Sequence, residues 1–104
     1  MAVDVEAALW ESAVEQARRH GFPFSPQSEQ LLHALVTNGA QTMKQEGVVE
    51  PGPRMDEAVE HTREFVDAMA EVVRQRGYSE FHEDTFMDAE RELRTRRSRF
   101  WPLW

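Results

Sequence analysis

Apolar residues along this chain recur three and four positions apart, and no segment alternates apolar and polar residues as a half-buried strand would. The pattern therefore predicts helices throughout. The first should run from about Asp4 to His20, with Val3, Ala7, Trp10, Val14 and Ala17 as its apolar seam. Asp4 can cap its N-terminus, Arg18, Arg19 and His20 suit the negative end of its dipole, and Gly21 is a natural stop. Glu15 lies four residues before Arg19 on the outer face, where a weak ion pair is expected.

The connector Phe22-Pro23-Phe24-Ser25-Pro26 leads into a second helix, with Ser25 as N-cap and Pro26 as its first residue. Leu32, Val36, Gly39 and Met43 repeat the four-three spacing, flanked by Leu31 and Leu35. Asn38-Gly39 favours turns and is the weak point, but the segment is read as one helix that can bend there. Residues 47–53, which include Pro51-Gly52-Pro53, form the clearest break. A third helix then spans about Arg54 to Arg76, closed by Gly77. Its seam is Met55, Val59, Thr62, Val66, Met69 and Val73, widened on one side by Ala58, Phe65 and Val72. On this reading Glu57, His61 and Glu64 share the outward face.

A fourth helix is more weakly specified. Ser79 could cap it, or Thr85 with Asp88 three residues on. Its stripe is thin: Phe86, Ala89 and Leu93, with His82 and Phe100 in line. Continuing it would set Arg97 in mid-stripe, so the packed part should end near Leu93 to Arg96, and Pro102 cannot continue a helix. The expected fold is all-α: an antiparallel bundle of three main helices, a weaker fourth helix and an aromatic C-terminal tail. Residues 1–96 form the bundle, and residues 97–104 the arginine- and aromatic-rich tail.

Composition narrows the chemistry. A chain of 104 residues is one domain's worth. With no cysteine, disulfides, thiol catalysis and cysteine-ligated zinc are excluded. Asp4, Glu6 and Glu11 replace the basic leader of a secretory signal, and the longest apolar runs, such as Ala7-Ala8-Leu9-Trp10, are far too short to span a membrane. A soluble cytoplasmic protein is the expectation. Charge is unevenly placed: residues 1–90 hold eighteen acidic and seven basic side chains, a net −11, while residues 91–104 hold one acidic and five basic, a net +4. An acidic body repels phosphate, so no nucleic-acid partner is expected.

The histidines and carboxylates are the remaining places for chemistry. Glu57, His61 and Glu64 have ligand-like spacing, but an outward helix face is normally just solvated. In a bundle His20, His33 and His82 fall toward one end, with Glu29 and Glu83 near. His33 would nevertheless sit on the order of 12 Å along its helix, at 1.5 Å per residue. Ser12, Ser25, Ser28, Ser79 and Ser98 lack a nucleophile's strand–turn–helix setting, and the glycines are scattered singly. No residue is assigned to catalysis, a cofactor or a metal.

The tail is the segment assigned a role. Arg94, Arg96, Arg97, Phe100, Trp101, Leu103 and Trp104 combine the residue types enriched where partners bind. Such aromatics either complete the chain's own core or dock elsewhere, on another protein or a second copy first, then at a membrane interface, then on nucleic acid. The sequence thus reads as a small protein–protein interaction module, an accessory or regulatory subunit that self-associates. Two rivals differ in class: a His/carboxylate metal-binding bundle or enzyme, and a nucleic-acid regulator acting through the arginine-rich tail.

Overall fold

Local capping chemistry sets the helix ends. In the computed structural model, which describes residues 4–21, 23, 25–48 and 50–96, helix α1 spans Val5–His20. The Asp4 carboxylate accepts from the Ala7 amide at 3.1 Å, and Gly21 closes the helix with φ 76°, a conformation costly for any residue bearing a Cβ. Helix α2 spans Pro26–Gln45, where the Ser25 hydroxyl accepts from the Ser28 amide at 3.2 Å. It runs unbroken through Asn38-Gly39, with Gly39 buried on its inner face. Helix α3 spans Pro53–Arg76 and ends at Gly77 with φ 71°. Helix α4 spans Glu83–Arg96.

The four helices pack against one another around one core. Glu6 reaches Thr37 and Trp10 stacks on His33, so α1 and α2 run in opposite directions. Gln16 and His20 both meet Asp67, and His20 also meets Arg74, so the late part of α1 lies along the late part of α3. Helix α3 has α1, α2 and α4 as neighbours. No helix among the described residues is long and apolar enough to cross a membrane.

That central position corrects the expected face of α3. Met55, Thr62, Val66, Met69 and Val73 are buried as the seam requires, and Ala58, Phe65 and Val72 as its expected widening, but so are His61, Ala68 and Ala70, while Val59 is only partly covered. At 3.6 residues per turn the buried arc covers roughly 200°. A helix with three neighbours has little outer face left, and His61, expected in solvent, lies fully inside it. Its ring meets Phe65 edge-on, with centroids 6.3 Å apart.

The face of α1 is rotated as well. Val5, Leu9, Ser12, Ala13 and Ala17 are buried, Ala7 is exposed, and Trp10 and Val14 are half-buried. Ala13 and Ala17 bring little bulk to the buried face, where helices approach to 8–10 Å or so depending on the side chains between them. The large indole of Trp10 sits instead at the α1–α2 border, its ring 4.2 Å from that of His33. In α2, by contrast, Leu32, Val36, Gly39 and Met43 are all buried on the expected seam.

The start of α4 differs from both expected caps. Thr85 is inside the helix and buried, and its hydroxyl accepts from the His82 amide at 3.2 Å. It takes the place of the third-position partner in a capping box rather than that of the cap. Asp88 pairs with Arg76, which also holds Asp84 at 2.6 Å. The Tyr78 hydroxyl donates to Asp84 at 2.8 Å, and this bond, with Arg76 beside it, holds the Asp84 carboxyl below the usual carboxylate range. Ala89 and Leu93 are buried as expected, joined by Phe81 from the preceding connection.

Candidate functional site

Each histidine has a structural occupation. The His20 Nε2 lies 2.6 Å from an Asp67 oxygen, and its Nδ1 lies 2.9 Å from the Arg74 guanidinium. A guanidinium only donates, so Nδ1 accepts and the proton resides on Nε2, which donates to Asp67. Gln16 donates to the same carboxylate oxygen at 2.7 Å. With both nitrogens engaged, the ring ties α1 to α3 and presents no base to a substrate. His33 stacks on Trp10, and His82 packs at a tilt on Tyr78 with centroids 4.3 Å apart. His61 is within the core, where burial disfavours the imidazolium and pushes its pKa down to about 4.

The two ligand sets weighed from the sequence are therefore dispersed. Burial removes His61 from the neighbourhood of solvent-facing Glu57 and Glu64, and Glu57 is engaged by Arg54 at 2.9 Å. His20, His33 and His82 belong to three different contacts. Among the described residues, no three His, Asp or Glu side chains are grouped to hold a metal ion.

A different surface stands out. Leu35, Phe65 and Phe86, from α2, α3 and α4, meet at the base of a half-open cleft of about 270 Å³. Leu35 and Phe65 are buried, Phe86 is half-buried, and the two phenylalanine rings lie 4.9 Å apart, tilted against each other. Asn38, Gln41, Thr42 and Gln45 form the α2 wall, at the spacing of one helix face, and Glu90 lies on the α4 side. The cleft thus offers an aromatic floor and a wall of neutral amides and a hydroxyl. Amides of this kind both donate and accept hydrogen bonds.

Its α2 wall belongs to an uncharged run. Residues 30–43 contain no Asp, Glu, Lys or Arg, in a chain whose charged share is 30%. Yet α2 is not an interior helix: His33, Ala34, Thr37, Asn38 and Gln41 are exposed. A solvent-facing helix normally carries charge on its outer face, and depletion of charge is the compositional mark of an interface centre. This run was the sequence signal for the cleft. The apolar periodicity conceals it, because periodicity draws attention to the inner face.

The residues assigned to partner binding fall at and beyond the end of α4 in the sequence. Arg94 and Arg96 are in the last turns of α4, and their side chains lie outside the described residues. Arg97, Phe100, Trp101, Leu103 and Trp104 also lie outside the described residues. On α4 itself, Met87 is a large apolar side chain left 58% exposed, next to Phe86 of the cleft. No protein-family model, curated protein or solved structure matches this chain.

Proposed function

We propose that the chain is a small helical protein–protein interaction module, an accessory or regulatory subunit of the cytoplasm that self-associates. In this reading it is an antiparallel bundle whose arginine- and tryptophan-rich C-terminal segment supplies the contact. The observation that carries it is the uncharged, solvent-facing stretch of α2 beside an aromatic-floored cleft, in an otherwise highly charged chain. An interface centre has that composition, and an enzyme site would instead gather titratable groups around its cavity. The segment beyond α4 brings the complementary material: aromatic side chains and arginines on an acidic body.

The test is removal of residues 100–104. Solution mass, measured by light scattering on an eluting sample, should fall while helical circular dichroism stays nearly unchanged. Neutralising Arg96 and Arg97 should do less, and its effect should shrink at high salt, since exposed ion pairs contribute only about 0–1 kcal/mol each and are screened. A truncated chain with the parent's mass would refute the reading.

A further inference from the structure

We infer that the outer face of α2 is a two-fold self-docking surface, on which a second copy lays its own α2 antiparallel to the first. The inference rests on the self-association reading above and adds which face of the body the two copies share and in which direction they run.

Exposure and spacing define the face. Gln27, Gln30, Ala34, Asn38, Gln41 and Gln45 are all exposed and follow one another at intervals of three and four, so they form a single stripe. The stripe prolongs the cleft wall of Asn38, Gln41 and Gln45 along most of α2, over roughly 27 Å at 1.5 Å per residue. Among the described residues the other helices offer nothing like it. Their exposed positions include Glu6, Glu11 and Glu15 in α1, Asp56, Glu60 and Glu71 in α3, and Glu83 and Arg91 in α4. Glu6, to which the Thr37 hydroxyl donates at 3.5 Å, flanks the stripe on the α1 side, off its line.

Symmetry and charge select a second copy as the occupant. With its midpoint near residue 36, the stripe is nearly unchanged on reversal: Gln27 exchanges with Gln45, Gln30 with Gln41, and Ala34 with Asn38. A two-fold interface uses this property, because residue i of one copy meets residue j of the other while j meets i. Amides suit such a meeting chemically, since each both donates and accepts. Charge is the stronger filter. A charged side chain beside a two-fold axis faces its own copy, and like charges brought together are costly, so an acidic chain of net −7 pairs with itself best where such charges are missing. Among Asp, Glu, Lys and Arg, α2 carries just Glu29 and Lys44, both exposed, seven residues before that midpoint and eight after it. Each suits its own end of the helix dipole. Antiparallel pairing sets Glu29 of each copy level with Lys44 of the other, so both meetings attract, whereas parallel pairing would set like charge against like.

The chain has no cysteine, which makes a cross-linking test clean. Full-length Gln27→Cys and Gln45→Cys are treated with a short bifunctional maleimide, each alone and then mixed in equal amounts. In the antiparallel pair each position lies roughly 27 Å from its own copy, at 1.5 Å per residue, and opposite the other position. The mixture should therefore give at least about tenfold more cross-linked dimer than either variant alone, the margin set by that separation. Independently, Ala34→Glu/Asn38→Glu gathers acids about the axis at exposed positions. It should keep the parent's circular dichroism spectrum and melting midpoint, yet dimerise at least about tenfold more weakly by sedimentation equilibrium. Cross-linking of either single variant as efficient as that of the mixture overturns the antiparallel pair, and so does a charge variant that dimerises like the parent. If either result appears while removal of residues 100–104 still lowers the solution mass, the α2 assignment falls and self-association through the tail stands. If the mixture cross-links and the charge variant weakens while the truncated chain keeps the parent's mass, the α2 pair stands and the tail reading falls. A parent chain that is monomeric at every concentration overturns both.

Discussion

Lowering the pH from 7.5 to 5 should destabilise this bundle through one side chain, His61. The ring is buried beside Phe65, and loss of hydration holds its pKa at about 4 in the folded chain against the ordinary 6.5. In the unfolded chain the ring is hydrated and takes up its proton near pH 6.5. Between the two values the unfolded state binds a proton that the folded state does not, so unfolding becomes easier as pH falls. Above pH 6.5 the group has no effect on the balance, and below pH 4 its effect no longer grows. At 1.36 kcal/mol per unit, the full span is about 3 kcal/mol, of which about 2 kcal/mol is lost by pH 5. Urea denaturation of the parent and of His61→Leu at pH 7.5, 6.5, 5.5 and 5 isolates it, because every other titrating group is common to the two. The variant should gain on the parent by about 2 kcal/mol over that range, whatever their offset at pH 7.5. An offset that stays constant from pH 7.5 to 5 would refute the reasoning, and so would a His61 resonance titrating near 6.5 in the folded protein.

Other substitutions probe the rest of the frame. Val66 is fully buried at the centre of α3, so Val66→Asp should cost several kcal/mol and unfold the domain in a thermal melt. Glu64→Ala, on a partly exposed position, should change stability by less than about 0.5 kcal/mol, and equal melting midpoints would show the face of α3 to be misassigned. Gly77→Ala forces a Cβ onto φ 71° and should cost about 1 kcal/mol or more in urea denaturation, although nothing crowds the position. Elemental analysis of protein purified without chelator should find no stoichiometric transition metal. A metal that disappears with changes at His33 or His61 would revive the metal-binding alternative.

The ends of α1, the start of α2 and the close of α3 were legible in the sequence because they are decided within a few residues, whereas the start of α4 was not. Asp4, Ser25-Pro26, Gly21 and Gly77 act at the positions their chemistry dictates, whatever surrounds them. The buried face was legible in full for α2 and in outline for α3 and α4. A periodicity identifies an apolar stripe, but how far burial extends on either side depends on how many neighbours a helix has, and that is a property of the whole assembly. Hence α3 buries His61 and Ala68 beyond the expected stripe, and α1 presents Val5, Leu9 and Ala13 instead of Ala7 and Trp10. Phe81 lies four residues before the buried Thr85 and eight before Ala89, but it precedes α4, and the expected stripe had His82 in line instead. The cleft eluded the sequence for a related reason: its floor comes from three helices, and only the charge-free run of α2 is contiguous.

The central placement of α3 also ranks the parts of the molecule by how readily they open. A helix with one neighbour can detach by giving up a single interface, whereas α3 cannot leave without separating α1, α2 and α4 from it together. Backbone amides exchange with solvent through the least costly opening that exposes them. Those of α3 near Val66, Met69 and Val73 should therefore exchange only when the whole domain unfolds, and they report its global stability. The amides of α4, anchored chiefly by Phe81, Thr85, Ala89 and Leu93, have a shorter route to solvent. The bundle can thus loosen its fourth helix, and the cleft that helix helps to wall, while the other three stay folded.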